Sequence, residues 1–209
     1  MKKLRLILGD QLNHEHSWYE ETNDDTVYFM AEMRQETDYV THHIQKVVAF
    51  FKSMRSFADW LESEQHTIVY YTLDAEKNQQ DLVQNLKQLI NEHNIEKFEY
   101  QLPDEYRLDE QLKDFCDEIT IESEAFDTEH FLTSRTDFTE FFEGKKQLVM
   151  EYFYRDMRKK YDIMMLNDKN PEGGKWNFDQ SNRKKWKGEP EIPQEKQLKN
   201  SVEDIYEMI

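Results

Sequence analysis

The chain has 209 residues, 34% of them charged, and a net charge of −17. That length suits one α/β domain with an appendage and is enough to bury a core. The acidic balance argues against a general nucleic-acid binder, which needs clustered Lys and Arg on phosphates. The single cysteine excludes a disulfide framework and any all-cysteine metal site within the chain.

The N-terminal MKKLRLILGDQL has too short an apolar run for a signal peptide, and Asp10 follows at once. LRLIL (4–8) therefore reads as a buried strand. TVYFMA (26–31), TIVYYTL (67–73), KFEYQL (97–102) and EITIES (118–123) read the same way. Between them lie helical periods. The strongest covers 39–62, where Val40, Ile44, Val47, Val48, Phe51, Met54, Ala58 and Leu61 make one apolar face. Leu82, Leu86, Leu89 and Ile90 repeat the pattern over 79–92, and a shorter helix is expected over 107–118. No stretch approaches the roughly 20 apolar residues of a membrane span. The expectation is a soluble, cytoplasmic protein with no membrane partner.

Strands alternating with helices predict an α/β fold with a doubly wound, five-stranded parallel sheet, Rossmann-like, in the order 3-2-1-4-5. After about residue 124 the alternation stops. DFTEFFEG and LVMEYFYRDMRKKY read as helices, with Gly144 ending the first. Residues 167–196 are polar and rich in Pro and Gly, as in a loop or arm, and a last short helix is expected over 200–208. The expected division is an α/β domain over 1–134 and a helical and irregular arm over 135–209.

In such a sheet, ligands sit beyond the carboxyl ends of the strands where the strand order reverses, here beside strand 1. Gly9, Asp10 and Gln11 lie there. Glycine allows close backbone approach, Asp10 offers an acceptor, and Gln11 offers both donor and acceptor. No GxGxxG or GxxxxGK[ST] is present, so this is not a phosphate cradle. A carboxylate suits a neutral ligand rich in hydroxyl or ring N–H donors; the competing reading has Asp10 capping the next segment. Glu32, Glu36, Tyr39, His42 and His43 cluster at the end of strand 2, and Glu105, Tyr106 and Arg107 at the end of strand 4. An Arg–carboxylate tie there is often purely structural. His42 and His43 point about 100° apart on a helix and do not suit one metal. HEH (14–16) lacks a fixed third ligand, so no metal site is assigned. Cys116 reads as core.

Residues 145–188 hold twelve Lys and Arg against six Asp and Glu, a local +6. Within them, GGKWNFDQSNRKKWKG (173–188) interleaves rings and cations. That pattern fits single-stranded nucleic acid, a docking surface or a solvated arm, and the pattern alone does not separate them.

LILGDQL, MAE with ETDYVTHH and KVVAFFKSMRSFADWLE, PDEYR, and MEYFYRDMRKK with GGKWNFDQSNRKK together resemble the deoxyribodipyrimidine photolyase-related proteins. This is the family of the iron–sulfur bacterial cryptochromes and prokaryotic (6-4) photolyases, and the similarity runs from residue 4 to about 190. The resemblance implies an N-terminal α/β domain that holds an antenna chromophore, typically 6,7-dimethyl-8-ribityllumazine. Family members carry FAD, a four-cysteine 4Fe–4S cluster and the DNA-lesion pocket in a following helical domain. With one cysteine this chain cannot hold that cluster. It looks like the antenna domain alone, not expected to repair DNA by itself.

The resemblance also places the glutamate matching Glu36 in the lumazine pocket. Phe50 falls on the helix facing that pocket, where an inward ring would narrow it. The candidate pigment-binding residues are thus Gly9, Asp10, Gln11, Glu32, Glu36, Tyr39, His43, Phe50 and Glu105. Trp176 and the basic arm match the family's interdomain connection, so 145–188 is expected to dock on the FAD domain, with DNA met only by the full-length protein. Two other readings remain: a stand-alone binding or scaffold module that has lost the pigment, and a small enzyme acting on a nucleotide-like substrate, disfavoured by the missing phosphate loop.

Overall fold

The computed structural model describes every residue except 39, 184 and 197–199, with no account of the side chains of 181 and 182. The chain divides into two compact units, 1–130 with 200–209, and 131–199. The first contains strands β1 (Lys3–Leu6), β2 (Thr26–Ala31), β3 (Thr67–Tyr71), β4 (Lys97–Gln101) and β5 (Glu122–Phe126). They form one sheet in the order β3-β2-β1-β4-β5, as expected, and every pairing is parallel. All residues of β2 are buried, because strands of such a sheet are covered on both faces.

Helices α1 (Arg34–Thr37) and α2 (Ile44–Ser63) follow β2, α3 (Leu82–His93) follows β3, and α4 (Tyr106–Glu118) follows β4. One face of the sheet buries Leu4, Leu6, Phe29 and Phe98 with Leu82, Leu86 and Leu89 of α3 and Leu112 and Phe115 of α4. The other buries Ile7, Tyr28 and Met30 under Val47, Phe51, Met54, Phe57 and Leu61 of α2. Helix α2 is therefore the amphipathic element its spacing foretold, but it begins later. His43 is its N-cap, accepting at Nδ1 from the Gln45 N–H at 3.2 Å. Val40 lies outside the helix and Ile44 in its first turn, so both are exposed rather than core. The fifth strand also differs, at 122–126 rather than 118–123. Ile119 and Ile121 pack partly buried against the core as the link from α4, and only ESEAF pairs with β4.

Helix α8 (Glu203–Met208), numbered after the helices of the second unit, returns to the first unit. The sequence placed these residues in the arm. They belong to the sheet unit because Ile205 is fully buried in the α2-side cluster and Val202 packs on it. Arg55 of α2 binds Asp204 at 2.9 Å and Glu32 at 2.6 and 3.0 Å.

The second unit holds α5 (Arg135–Phe142), α6 (Met150–Lys160) and α7 (Asp179–Asn182). Ser134 and Asp137 form a capping box at the start of α5. Gly144, at φ +70°, follows its end as expected. Phe142 and Phe153 are buried against Phe138 and Phe141. Arg158 is buried, donating to the carbonyls of Ile163 and Met164, which fastens the turn after α6. Trp176 lies with Arg155, Arg158 and Lys159 between 5.3 and 5.5 Å from its ring centre, a cation–π cluster. Tyr152, Tyr154, Phe178 and Trp186 are exposed. Among the described residues no helix is long and apolar enough to cross a membrane.

The Glu32–Arg55 pair is the testable element of this fold. Arg55→Ala leaves a fully buried carboxylate without its cation and should destabilise the chain by about 3 kcal/mol in urea denaturation. Asp204→Ala breaks only the exposed arm of the network and should cost less than about 1 kcal/mol.

Candidate functional site

Strands β1 and β2 and the segment after β4 end around a cavity of about 270 Å³. Its depth is apolar, walled by Leu6, Ile7, Leu8, Met33, Met54 and Leu108. Its rim carries Asp10, Glu36 and Glu105 with His42 and Lys46. A more open cleft of about 660 Å³ adjoins it and shares Gly9, Asp10, Lys46 and Phe50, adding Asn13, Ser53, Glu129 and His130.

Gly9 has an ordinary backbone, and the reason for glycine there is space. A Cβ at this position would stand 2.3 Å from Phe50 Cζ and 2.8 Å from Met54 Sδ. The Phe50 ring thus lies directly on the Gly9 backbone and lines both the inner cavity and the outer cleft. The Phe50 ring does point inward, the case in which it narrows the site.

The carboxylates have distinct environments. Glu36 Oε2 accepts from Arg107 at 3.3 Å, while its Oε1 is buried without a hydrogen-bond partner among the described residues. Burial, first, then the charges of Glu105 and Asp10 raise the Glu36 pKa above the ordinary carboxylate range, against the pull of Arg107. Asp10 is exposed at the rim. Desolvation by the surrounding protein, then Asp104 and Glu105, also raise its pKa. Glu105 is held below the usual range by its two contacts with Arg107, at 2.9 and 3.0 Å. One guanidinium therefore serves Glu36 and Glu105, and the rim keeps a net negative character beside Lys46, whose Nζ is 3.1 Å from His42 Nδ1.

The structure brings Gly9, Asp10, Glu36, Phe50 and Glu105 together around the cavity. It places three other candidates elsewhere. Gln11 is buried in structural bonds: its Oε1 accepts from the Leu8 N–H at 3.0 Å, and its Nε2 donates to the Gln101 carbonyl at 3.1 Å. Glu32 is engaged by Arg55, by the Tyr70 hydroxyl at 2.7 Å and by the Leu73 N–H at 2.9 Å. His43 is exposed and caps α2. Tyr39 lies outside the described residues. Sequence reasoning left Lys46 and Met54 out of the site, although a signal existed. Lys46, Phe50 and Met54 recur every four residues on α2, so the ring that faces the cavity carries the other two with it. Among the described residues no cluster of three or more metal-ligating side chains occurs.

An apolar cavity rimmed by carboxylates suits a ligand with an apolar ring body and N–H or O–H donors on its edge. A phosphate would meet carboxylates first.

The family model for deoxyribodipyrimidine photo-lyase-related protein matches residues 5–209. The chain is 34% identical over 185 residues to a (6-4) photolyase of Agrobacterium fabrum, covering 88% of this chain and 36% of that protein. It is 23% identical over 164 residues to an uncharacterised protein of Acanthamoeba polyphaga mimivirus, covering 77% of this chain and 79% of the viral protein. The chain thus spans about a third of the length of the photolyase it matches.

Two measurements check this geometry. Gly9→Ala should destabilise the chain by about 1–3 kcal/mol through overpacking against Phe50, and Phe50→Ala should relieve most of that effect in a double-mutant cycle. Glu36→Gln removes a carboxylate whose ionisation folding disfavours. A raised carboxyl pKa lowers stability as pH climbs from the ordinary Glu range through the raised value. Glu36→Gln should therefore raise Tm at pH 7, and the gain should vanish as pH falls below the ordinary carboxylate pKa.

Proposed function

The chain belongs to the deoxyribodipyrimidine photolyase-related family, and from that footing we propose that its α/β unit is a light-harvesting antenna domain. The ligand is a ribityl-bearing heteroaromatic pigment of the 6,7-dimethyl-8-ribityllumazine kind. The observation that carries the reading is the pair of carboxylates, Asp10 and Glu36, at the rim of an apolar slot. A pteridine ring supplies the N–H, and a ribityl chain supplies hydroxyls without phosphate. The inner cavity lies just under the roughly 300–1,000 Å³ typical of ligand sites. The ring would take that space, while the polyol extends past Phe50 into the outer cleft beside Asn13, Ser53 and His130.

When bound, the pigment supplies absorption and transfer of excitation. The protein's share is to hold and orient it, to exclude water with Met33, Phe51, Met54 and Leu108, and to fix its polar edge at Asp10 and Glu36. In this reading the excitation passes to FAD in a separate helical domain, which also holds the iron–sulfur cluster and meets DNA. The basic, ring-bearing segment 145–188 is the surface that docks on it. The exposed Tyr152, Tyr154, Phe178 and Trp186 support that assignment, since exposed apolar clusters mark interaction sites.

A second reading, a scaffold module without pigment, draws on the Phe50 ring lying on Gly9. A binding titration separates the two. Riboflavin, FMN and the lumazine are each titrated against the protein by fluorescence, and the lumazine is expected to bind tightest and FMN weakest. FMN tightest would contradict the acidic-rim argument; no binding by any of the three would favour the scaffold. Asp10→Ala and Glu36→Ala should each weaken lumazine binding by about 1–3 kcal/mol, the value of a buried hydrogen bond to a charged acceptor.

A further inference from the structure

Helix α2 covers one face of the sheet over β2 and β3, and the same face over β1, β4 and β5 is covered differently. There the strands present Arg5, Glu99 and Gln101, and a 3-10 turn, Ser17–Tyr19, lies above them. Arg5 donates to Glu99 at 2.8 Å, to the Trp18 carbonyl at 3.1 Å and to the Tyr28 hydroxyl at 3.1 Å, and its guanidinium sits 4.8 Å from the Trp18 ring centre. Trp18 packs edge-on, 5.5 Å between centres, against Phe126, the residue paired with Gln101 across β4 and β5. Tyr19 packs on Tyr28 at 5.5 Å, and its hydroxyl faces the Gln101 side chain.

Gln101 is 1% exposed and Trp18 is 4% exposed. Trp18 Nε1, Tyr19 Oη and both side-chain atoms of Gln101 are buried without a hydrogen-bond partner among the described residues. Their neighbours on the sheet are satisfied, as Glu99 takes Arg5, Lys3 and Lys97. A primary amide sealed with neither its donor nor its acceptor used is rare in a folded chain, and the usual remedy is an internal water with two to four polar partners.

We propose that the space between Gln101, Tyr19 and Trp18 is an internal hydration site holding at least one long-lived water. Its ligand must accept from the Trp18 indole N–H and the Gln101 amide N–H and must donate to the Gln101 carbonyl oxygen or the Tyr19 hydroxyl. Water has two acceptor and two donor positions and meets that set, whereas a halide cannot donate and a metal or ammonium cation cannot accept. The site fastens the 12–20 loop to β4 and β5 where a helix would otherwise lie. Gln101 also receives Gln11 on its backbone carbonyl, so the same strand end anchors the Gly9–Gln11 turn at the ligand cavity.

Water-to-indole cross-relaxation in the full chain tests this directly, with the Trp18 resonance identified by its disappearance in Trp18→Phe. A cross-peak from the Trp18 indole N–H to a long-lived water is expected. In Gln101→Met, that cross-peak should be lost and Tm should fall by roughly 2–4 °C, because the water loses its partners. Absence of the cross-peak in the unaltered chain overturns the proposal. So does a rise in Tm for Gln101→Met, the result expected if the methionine merely removed an unpaired amide.

Discussion

A fully buried carboxylate organises the cavity edge of this fold. Glu32 follows the last residue of β2, where the sheet stops and the cavity begins. Its side chain ties together α2 through Arg55, β3 through Tyr70, and the exit of β3 through the Leu73 N–H. Its backbone carbonyl accepts from Asn78 at 2.7 Å. A charge without these partners would be expelled to water, so the pairing fixes where α2 crosses the strand ends. The position of α2 in turn puts Phe50 on Gly9 and Lys46 at the rim, and Arg55 carries the network on to α8 through Asp204. The cavity is thus shaped by an interaction that does not touch it.

That separation explains what the sequence could and could not disclose. Strand order was legible because five short apolar runs alternate with helical periods, and chirality leaves few topologies for such a chain. The apolar face of α2 was legible for the same reason, through Val47, Phe51, Met54 and Leu61. Its start was not: the apolar Val40 and Ile44 extend the period across His43, and only the cap shows where the helix begins. The fifth strand was misplaced because its own residues, ESEAF, are half-exposed and polar, while the more strand-like Ile119 and Ile121 serve the linker.

The site was legible in part. Gly9, Asp10, Glu36, Phe50 and Glu105 all reach the cavity, because strand ends gather at one edge of a parallel sheet. Composition could not tell a carboxylate that lines the cavity from one consumed inside the fold. Glu32 and Glu36 lie four residues apart, yet one side chain has four hydrogen bonds and the other has an oxygen with none among the described residues. Gln11 looked like a ligand group for the same reason and is a brace. The return of 200–209 to the sheet unit had no local signal, since it depends on Ile205 finding a distant apolar groove.

These observations make the Glu36 edge the centre of the functional account. Backbone amide shifts in the labelled protein, followed while 6,7-dimethyl-8-ribityllumazine is added, report that edge residue by residue. Shifts confined to Gly9, Asp10, Glu36 and Phe50 are the predicted result. No shift at those amides, or shifts only within 167–196, would contradict the assignment of the cavity as the pigment site.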